Sequence, residues 1–137
     1  MIELSQFYMG RDKTHAHIRG SDLRANASRT VEAANKLLTL AKGAGVQLKP
    51  GQWGMVRSGW RPPDINGATK GASKTSLHMQ CLAVDLEDVD RSLARWCFAN
   101  QNVLKDLALW LEHPDTTPSW CHVQLKPPGS GNRVFRP

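Results

Sequence analysis

The sequence predicts an α+β fold in which a long N-terminal helix and shorter helices pack against a small antiparallel sheet. The prediction depends on two kinds of pattern. Apolar residues recur at helical spacing between residues 22 and 42, and they alternate with polar residues in residues 82–86 and 119–125. The 137 residues are enough for one compact domain with a buried core, and they contain no internal repeat. We therefore expect a single domain over residues 1–137.

The long helix is predicted from Asp22 to Lys42. Ser21 is a good N-cap residue, and Gly43 and Gly45 interrupt the pattern at the other end. Small and aliphatic residues occupy one face between these bounds, at Leu23, Ala27, Val31, Ala34, Leu38 and Ala41. An apolar stripe of this kind is typical of a helix that packs on a core.

Three stretches predict strands, namely residues 52–58, 82–86 and 119–125. Alternation assigns their side chains to faces. In the second strand Leu82, Val84 and Leu86 share the apolar face, and Ala83 and Asp85 share the other. In the third strand Cys121, Val123 and Leu125 share the apolar face, and Trp120, His122 and Gln124 share the other.

The remaining segments connect these elements. Residues 59–71 are rich in Gly and Pro and carry polar groups, which is typical of a functional loop. Apolar spacing predicts two further helical stretches, one within residues 93–97 and one that continues from residue 103 to 111. The tail from Lys126 to Pro137 is rich in Pro and Gly, and we expect it to wrap around the surface.

The composition narrows the classes of function. The formal charge is +6, but the basic residues form no run, so nucleic-acid binding is supported by charge alone. An anionic polymer such as a bacterial wall, or ordinary solubility, explains the charge equally well. Three cysteines without a CxxC pair argue against a disulfide framework and against a cysteine-rich zinc site. No apolar run approaches the roughly 20 residues that a membrane-spanning helix needs.

His78, Asp85 and His122 are the residues that suggest a chemical function. His78 precedes the strand of Asp85, and both Asp85 and His122 point away from the apolar faces of their strands. If these strands are neighbours, two imidazoles and one carboxylate meet on one side of the sheet. Such a set suits Zn²⁺ with an open coordination position, and bound zinc supports amide hydrolysis. A structural histidine and a capping aspartate are the alternative interpretation.

Three motifs in order resemble those of the M15 zinc peptidases. SLHMQCLAVD, residues 76–85, resembles the SxHxxGxAxD motif; SGWR, residues 58–61, resembles the SGYR segment; and WCHV, residues 120–123, resembles the element that carries the last ligand. The resemblance covers roughly residues 55–125. The family contains D-Ala-D-Ala carboxypeptidases, related dipeptidases and phage L-alanyl-D-glutamate endopeptidases. It implies a Hedgehog/DD-peptidase-like fold and one zinc ion per chain.

The resemblance assigns roles to individual residues. It implies that His78, Asp85 and His122 bind the zinc. The arginine that corresponds to Arg61 is held to stabilise charge at the scissile carbonyl or to bind a substrate carboxylate, and a guanidinium suits both tasks. An arginine that packs on a tryptophan is the alternative interpretation. The remaining matches, Asn66, Ser76 and Trp120, are expected to contribute to substrate binding.

The sequence departs from the family pattern at two places. Cys81 stands where the motif has Gly, so the loop before the strand is expected to follow a different path, with Cys81 as a buried filler or a further ligand. No acidic residue occupies the few positions before His122, where many relatives carry one. Glu112 matches the place of a Glu in phage relatives and is preferred as the general base, with Asp115 as the alternative.

The chain as a whole resembles small phage-encoded members of the family. The implied function is zinc-dependent hydrolysis of peptide bonds in peptidoglycan stem peptides or cross-links by a phage lytic enzyme. Either carboxypeptidase or endopeptidase activity fits. An inactive zinc-binding module that binds the cell wall or a partner protein is the alternative. Residues 1–13 predict no secretory signal, so we expect synthesis in the cytoplasm and action on the wall after release through a holin or delivery with a virion.

Overall fold

The computed structural model describes residues 1–137 and has the α+β fold class that the sequence predicts. Six helices are present: α1 (Leu4–Tyr8), α2 (Arg11–Thr14), α3 (Ser21–Gly43), α4 (Pro63–Ala68), α5 (Ser92–Ala99) and α6 (Gln101–Asp106). Five strands are present: β1 (Val56–Ser58), β2 (Ala83–Glu87), β3 (Trp110–Glu112), β4 (Trp120–Gln124) and β5 (Val134–Phe135). Short 3₁₀ turns cover Ala16–Ile18, Leu77–Gln80 and Pro114–Thr116.

The five strands form one sheet in the order β1-β2-β4-β3-β5. The first three pairings in this order are antiparallel. β5 runs parallel to β3, so the sheet is mixed. The C-terminal tail was expected only to wrap around the surface, but it also supplies this edge strand. The predicted first strand, residues 52–58, is shorter than expected, because only Val56–Ser58 pairs with β2, with a shift of register between Val56 and Ser58.

The core lies between the long helix and one face of the sheet. Helix α3 begins and ends within one residue of its predicted bounds and packs against α1, α5 and β2. Its apolar stripe is buried at Ala27, Val31, Ala34, Leu38 and Ala41. The facing sheet residues are buried too, at Val84, Leu86, Leu111, Cys121 and Val123. Burial of each large aliphatic side chain contributes about 1.5–3 kcal/mol, which holds the sheet in place.

Gly59 allows the N-terminal segment to pack against the loop that follows β1. A Cβ atom at this position would lie 1.9 Å from the carbonyl oxygen of Phe7. Since no side chain fits there, only glycine permits the approach, and the Trp60 N–H donates to that same carbonyl at 3.1 Å. Phe7 and Trp60 are both fully buried, so this contact fixes residues 58–61 beside the sheet.

The second helical stretch predicted for residues 103–111 is wrong in its second half. Helix α6 ends at Asp106, Ala108 adopts a left-handed conformation with φ of 55°, and the Leu109 N–H donates back to the Leu104 carbonyl. This is the usual geometry of a helix C-terminus, although Gly or Asn is the common residue there. Trp110–Glu112 then forms strand β3, because β4 on one side and the tail on the other satisfy its backbone.

Cys81, which stands where the related motif has glycine, adopts a left-handed conformation that glycine enters more readily than other residues. Its φ is 58° and its ψ is 25°, and it ends the 3₁₀ turn at Leu77–Gln80. The backbone thus accommodates the cysteine in a left-handed conformation, and a loop path different from that of relatives stays a prediction. The side chain is fully buried, and burial raises the pKa of the thiol to about 12. Cys81 is thus a buried filler rather than a reactive thiolate.

Replacing Cys81 by glycine and by alanine separates the backbone strain from the loss of the thiol. Both variants remove the sulfur, but only alanine keeps a Cβ in the left-handed region, which costs roughly 1–2 kcal/mol. The greater freedom of glycine in the unfolded chain offsets part of this difference. We expect Cys81→Gly to have a free energy of unfolding about 1 kcal/mol higher than Cys81→Ala in urea titrations. A more stable alanine variant would contradict this account of the turn.

The other cysteines are buried as well. Cys97 and Cys121 are both inaccessible to solvent, and no disulfide is present, which agrees with the sequence prediction. Cys121 lies on the apolar face of β4, where a hydrogen bond with Cys97 and burial raise the pKa of its thiol well above the ordinary value. Among the helices, none combines the length and apolarity that crossing a bilayer requires.

Candidate metal centre and cleft

The polar face of the central strands brings together the three candidate ligands. Asp85 in β2 lies directly opposite His122 in β4 in the antiparallel register. Both side chains point away from the core, as alternation predicts, because Val84 and Val123 fill the other face. His78 reaches the same place from the 3₁₀ turn that precedes β2 and is buried.

The three side chains form a compact cluster. Nδ1 of His122 lies 2.7 Å from one oxygen of Asp85, and Nε2 of His78 lies 3.4 Å from the other. One ligand atom from each residue lies within 4.8 Å of the ligand atoms of the other two. A single cation placed among the three could therefore contact them all.

Asp85 is ionised in this environment. Burial alone would raise the pKa of its carboxyl, but the charge of His78 and the hydrogen bond with His122 outweigh burial and hold that pKa well below the ordinary value. Burial likewise opposes protonation of His122, yet its hydrogen bond with Asp85 raises the pKa of this imidazole. The cluster therefore offers a carboxylate to a cation.

The outer nitrogens of both imidazoles face groups that can only accept hydrogen bonds. Nδ1 of His78 lies 2.8 Å from the carbonyl oxygen of Gly59, and Nε2 of His122 lies 2.8 Å from Oε1 of Gln124. Each of these nitrogens must therefore carry a proton. Nε2 of His78 and Nδ1 of His122 are the nitrogens that face Asp85, and in a neutral ring these are the atoms whose lone pairs would bind a cation. This arrangement fits a divalent cation among the three residues, since metal-binding histidines commonly donate their other N–H to such acceptors.

The cluster lies in a cleft of about 870 Å³. Five cationic side chains line it: Arg57, Arg61, Lys70, Lys126 and Arg136. Asp85 and Glu112 are the acidic residues of the lining, so positive charge predominates. Trp120 also lines the cleft, with the guanidinium of Arg57 5.5 Å from the centre of its ring. The C-terminal tail contributes one wall through residues 126–130 and 135–137.

Ser76 connects Arg61 to the turn that carries His78. Its hydroxyl oxygen accepts hydrogen bonds from Nη2 of Arg61 and from the backbone N–H of His78, each at 3.2 Å. The backbone N–H of Arg61 in turn donates to the His78 carbonyl. Burial lowers the pKa of Arg61, and the charge of Asp85 opposes that effect. Nε of Arg61 is buried without a hydrogen-bond partner.

Asn66 does not line the cleft. It is buried in α4, where its side-chain amide donates to the Ser73 carbonyl at 2.8 Å. This bond joins α4 to the segment that leads to Ser76, so Asn66 supports the cleft wall from behind. Its Oδ1 is buried without a hydrogen-bond partner.

The two candidates for a catalytic base lie in different surroundings. Glu112 is on the cleft face of β3, and its negative charge contributes to the raised pKa of His122. The Thr116 hydroxyl donates to one of its carboxylate oxygens at 2.9 Å. Asp115 lies outside the cleft lining, its side chain is 65% exposed, and it pairs with Arg136 at 3.3 Å. Only Glu112 shares the cleft with the metal cluster.

Gln124 and the Gly59 carbonyl are the contributors that sequence reasoning missed. The alternation of β4 had already placed Gln124 on the same face as His122, and that signal was sufficient to suggest contact between them. The Gly59 carbonyl lies within the SGWR segment, but its role depends on a backbone direction that side-chain patterns do not reveal.

Comparison with known proteins gives one match. A family model described as Peptidase M15 matches residues 12–115, which is most of the chain. The matched range contains His78, Asp85 and Glu112 and ends before His122. No curated protein and no solved structure matches the chain.

Proposed function

Because the chain belongs to the peptidase M15 family, we propose that it is a zinc-dependent peptidase that hydrolyses peptide bonds in bacterial peptidoglycan. The observation that carries this proposal is the cluster of His78, Asp85 and His122 at the base of a cleft. Two imidazoles and one carboxylate are a frequent donor set of catalytic zinc, because they leave one coordination position open. When bound there, zinc polarises the scissile carbonyl and activates water for attack on it.

The residues around the cluster supply the remaining chemistry. Glu112 accepts a proton from the attacking water on a carboxylate oxygen and delivers it to the leaving nitrogen. The guanidinium of Arg61 donates hydrogen bonds to oxygens of the scissile peptide, and Ser76 orients it for that task.

The charge of the cleft favours an acidic peptide as substrate. Five cationic side chains line it, and a positively charged cleft concentrates anionic substrates. Peptidoglycan stem peptides carry several carboxylates, so they complement this lining. Trp120 offers an apolar surface against which the substrate chain packs. The termini released from peptidoglycan distinguish a scissile bond at the end of the stem peptide from one within it.

Digestion of purified peptidoglycan tests the proposed function. We expect the zinc-loaded protein to release new amino and carboxyl termini, which mass spectrometry identifies. Cleavage before a terminal D-Ala indicates a carboxypeptidase, and cleavage between L-Ala and D-Glu indicates an endopeptidase. His122→Ala treated in the same way is the control. A zinc-loaded wild-type protein that binds the wall but releases no termini would favour the inactive wall-binding module.

Delivery to the wall is a separate proposal. A lytic role in a phage, with holin-dependent release or delivery by the virion after synthesis in the cytoplasm, is consistent with the resemblance of the sequence to small phage enzymes. It stays a prediction from the sequence. Expression in the cytoplasm with and without a holin, followed by measurement of culture lysis, tests it.

A further inference from the structure

We propose that Gln124 is the positioning residue that determines which nitrogen of His122 faces the metal. This inference rests on the proposed zinc site and goes beyond it, because it assigns a role outside the three ligands. Gln124 touches neither Asp85 nor His78 through a hydrogen bond, and it acts through the His122 ring alone.

The orientation of the Gln124 amide follows from its two partners. Its nitrogen lies 2.7 Å from the backbone carbonyl oxygen of Lys126, which can only accept a hydrogen bond. The amide NH₂ must therefore face Lys126, and the amide oxygen must face the His122 ring. That oxygen lies 2.8 Å from Nε2 of His122. A continuous chain of hydrogen bonds thus runs from the Lys126 backbone through Gln124 to His122.

The strand places Gln124 rigidly. It is two residues from His122 in β4, so both side chains project from the same face, and it is only 6% exposed. Ala83 lies opposite it in β2. Trp110 occupies the opposite position in β3 and closes the other side.

A fixed amide oxygen selects one orientation of the imidazole. With Nε2–H donating to Gln124, the lone pair of a neutral ring would be at Nδ1, the nitrogen that faces the cluster at 2.7 Å from Asp85. Without the acceptor, either nitrogen of His122 can turn toward the metal, and the ligand set loses its preorganisation. Loss of the outer hydrogen bond to a ligating histidine typically weakens metal binding about 10–100-fold.

Three variants test the proposal. Two properties are measured in them: the zinc affinity, and which nitrogen of His122 binds the zinc. Gln124→Leu removes the acceptor, Gln124→Glu retains an acceptor oxygen, and Gln47→Leu makes the same change at an exposed position. Chelator competition should show zinc binding weakened about 10–100-fold in Gln124→Leu, weakened less in Gln124→Glu, which keeps the acceptor but loses the donor to Lys126, and unchanged in Gln47→Leu. Long-range ¹H–¹⁵N spectra should show a proton at Nε2 of His122 in the zinc-loaded wild type, and a second coordination mode in Gln124→Leu.

The outcomes separate this proposal from the zinc site itself. If Gln124→Leu binds zinc as tightly as the wild type with unchanged His122 signals, the role of Gln124 is overturned while the site stands. If the wild type coordinates zinc through Nε2 of His122, the proposed role of Gln124 is overturned. This measurement needs no variant, so it decides the question even if Gln124→Leu fails to fold. A wild type that takes up no zinc overturns both proposals.

Discussion

Replacing His78, Asp85 or His122 by alanine is expected to abolish zinc uptake. The three ligand atoms lie within 4.8 Å of one another, and no fourth His, Cys, Asp or Glu belongs to the cluster. Removal of any one leaves two protein ligands for an ion that catalytic sites hold with three. Elemental analysis of the purified wild type should find about one zinc per chain, and each variant should contain none above background.

His17→Ala is the matched control for these variants. It also removes one imidazole, but His17 is exposed and lies outside the cluster. This control should retain about one zinc per chain and full hydrolysis of peptidoglycan. If one of the three cluster variants kept both its zinc and its activity, that residue would not be a ligand. If the wild type neither contained zinc nor acquired it on addition, the metal assignment would be wrong for all three.

The position of the cluster could be predicted because strand alternation is a short-range property. Val84 and Leu86 are apolar and Asp85 between them is not, so the sequence places Asp85 on the polar face of β2. The same reasoning applies to His122 between Cys121 and Val123. What alternation does not provide is the pairing of the strands. The direct opposition of Asp85 and His122 depends on the register of β2 with β4, which the structure provides. The motif resemblance implied only that both residues bind one zinc ion.

Strand β3 could not be predicted because its stability is not local. Residues 110–112 are too short to form a strand alone, and their apolar neighbours continue the spacing of the preceding helix. Helix α6 ends at Asp106 and is followed by a left-handed Ala108, and alanine is not a usual residue in such a conformation. The strand forms because β4 and β5 both pair with it, and β5 comes from a tail whose Pro and Gly content predicts a loop.

Because residues 110–112 form a strand instead of the end of a helix, the surroundings of the proposed base Glu112 differ from those that the sequence predicts. If the helix continued through residue 111, the helical period would determine the direction in which the Glu112 side chain projects. In β3, Trp110 pairs with Gln124, and Glu112 two residues further lies level with His122 on the cleft face. The Thr116 hydroxyl then holds one carboxylate oxygen. Asp115 in the adjacent 3₁₀ turn points toward Arg136 instead.

Glu112→Gln is therefore expected to bind zinc normally and to lose roughly a hundredfold or more in turnover of peptidoglycan peptides. The substitution keeps the shape of the side chain and removes the proton acceptor. Asp115→Asn is the matched control, because it makes the same change at an exposed carboxylate three residues away. We expect that variant to keep turnover within about twofold of the wild type, since neutralisation of an exposed ion pair has a small effect.

Turnover must be measured together with zinc content, because the two measurements together distinguish a variant of the catalytic base from a variant of a metal ligand. A base variant retains its zinc and loses turnover, whereas a ligand variant loses both. If Glu112→Gln kept wild-type turnover while Asp115→Asn lost it, the base would be Asp115. That result would require the Pro114–Thr116 turn to move, because Asp115 lies outside the cleft and bonds to Arg136. The fixed position of β3 between β4 and β5 instead leaves the carboxylate of Glu112 in the cleft beside His122.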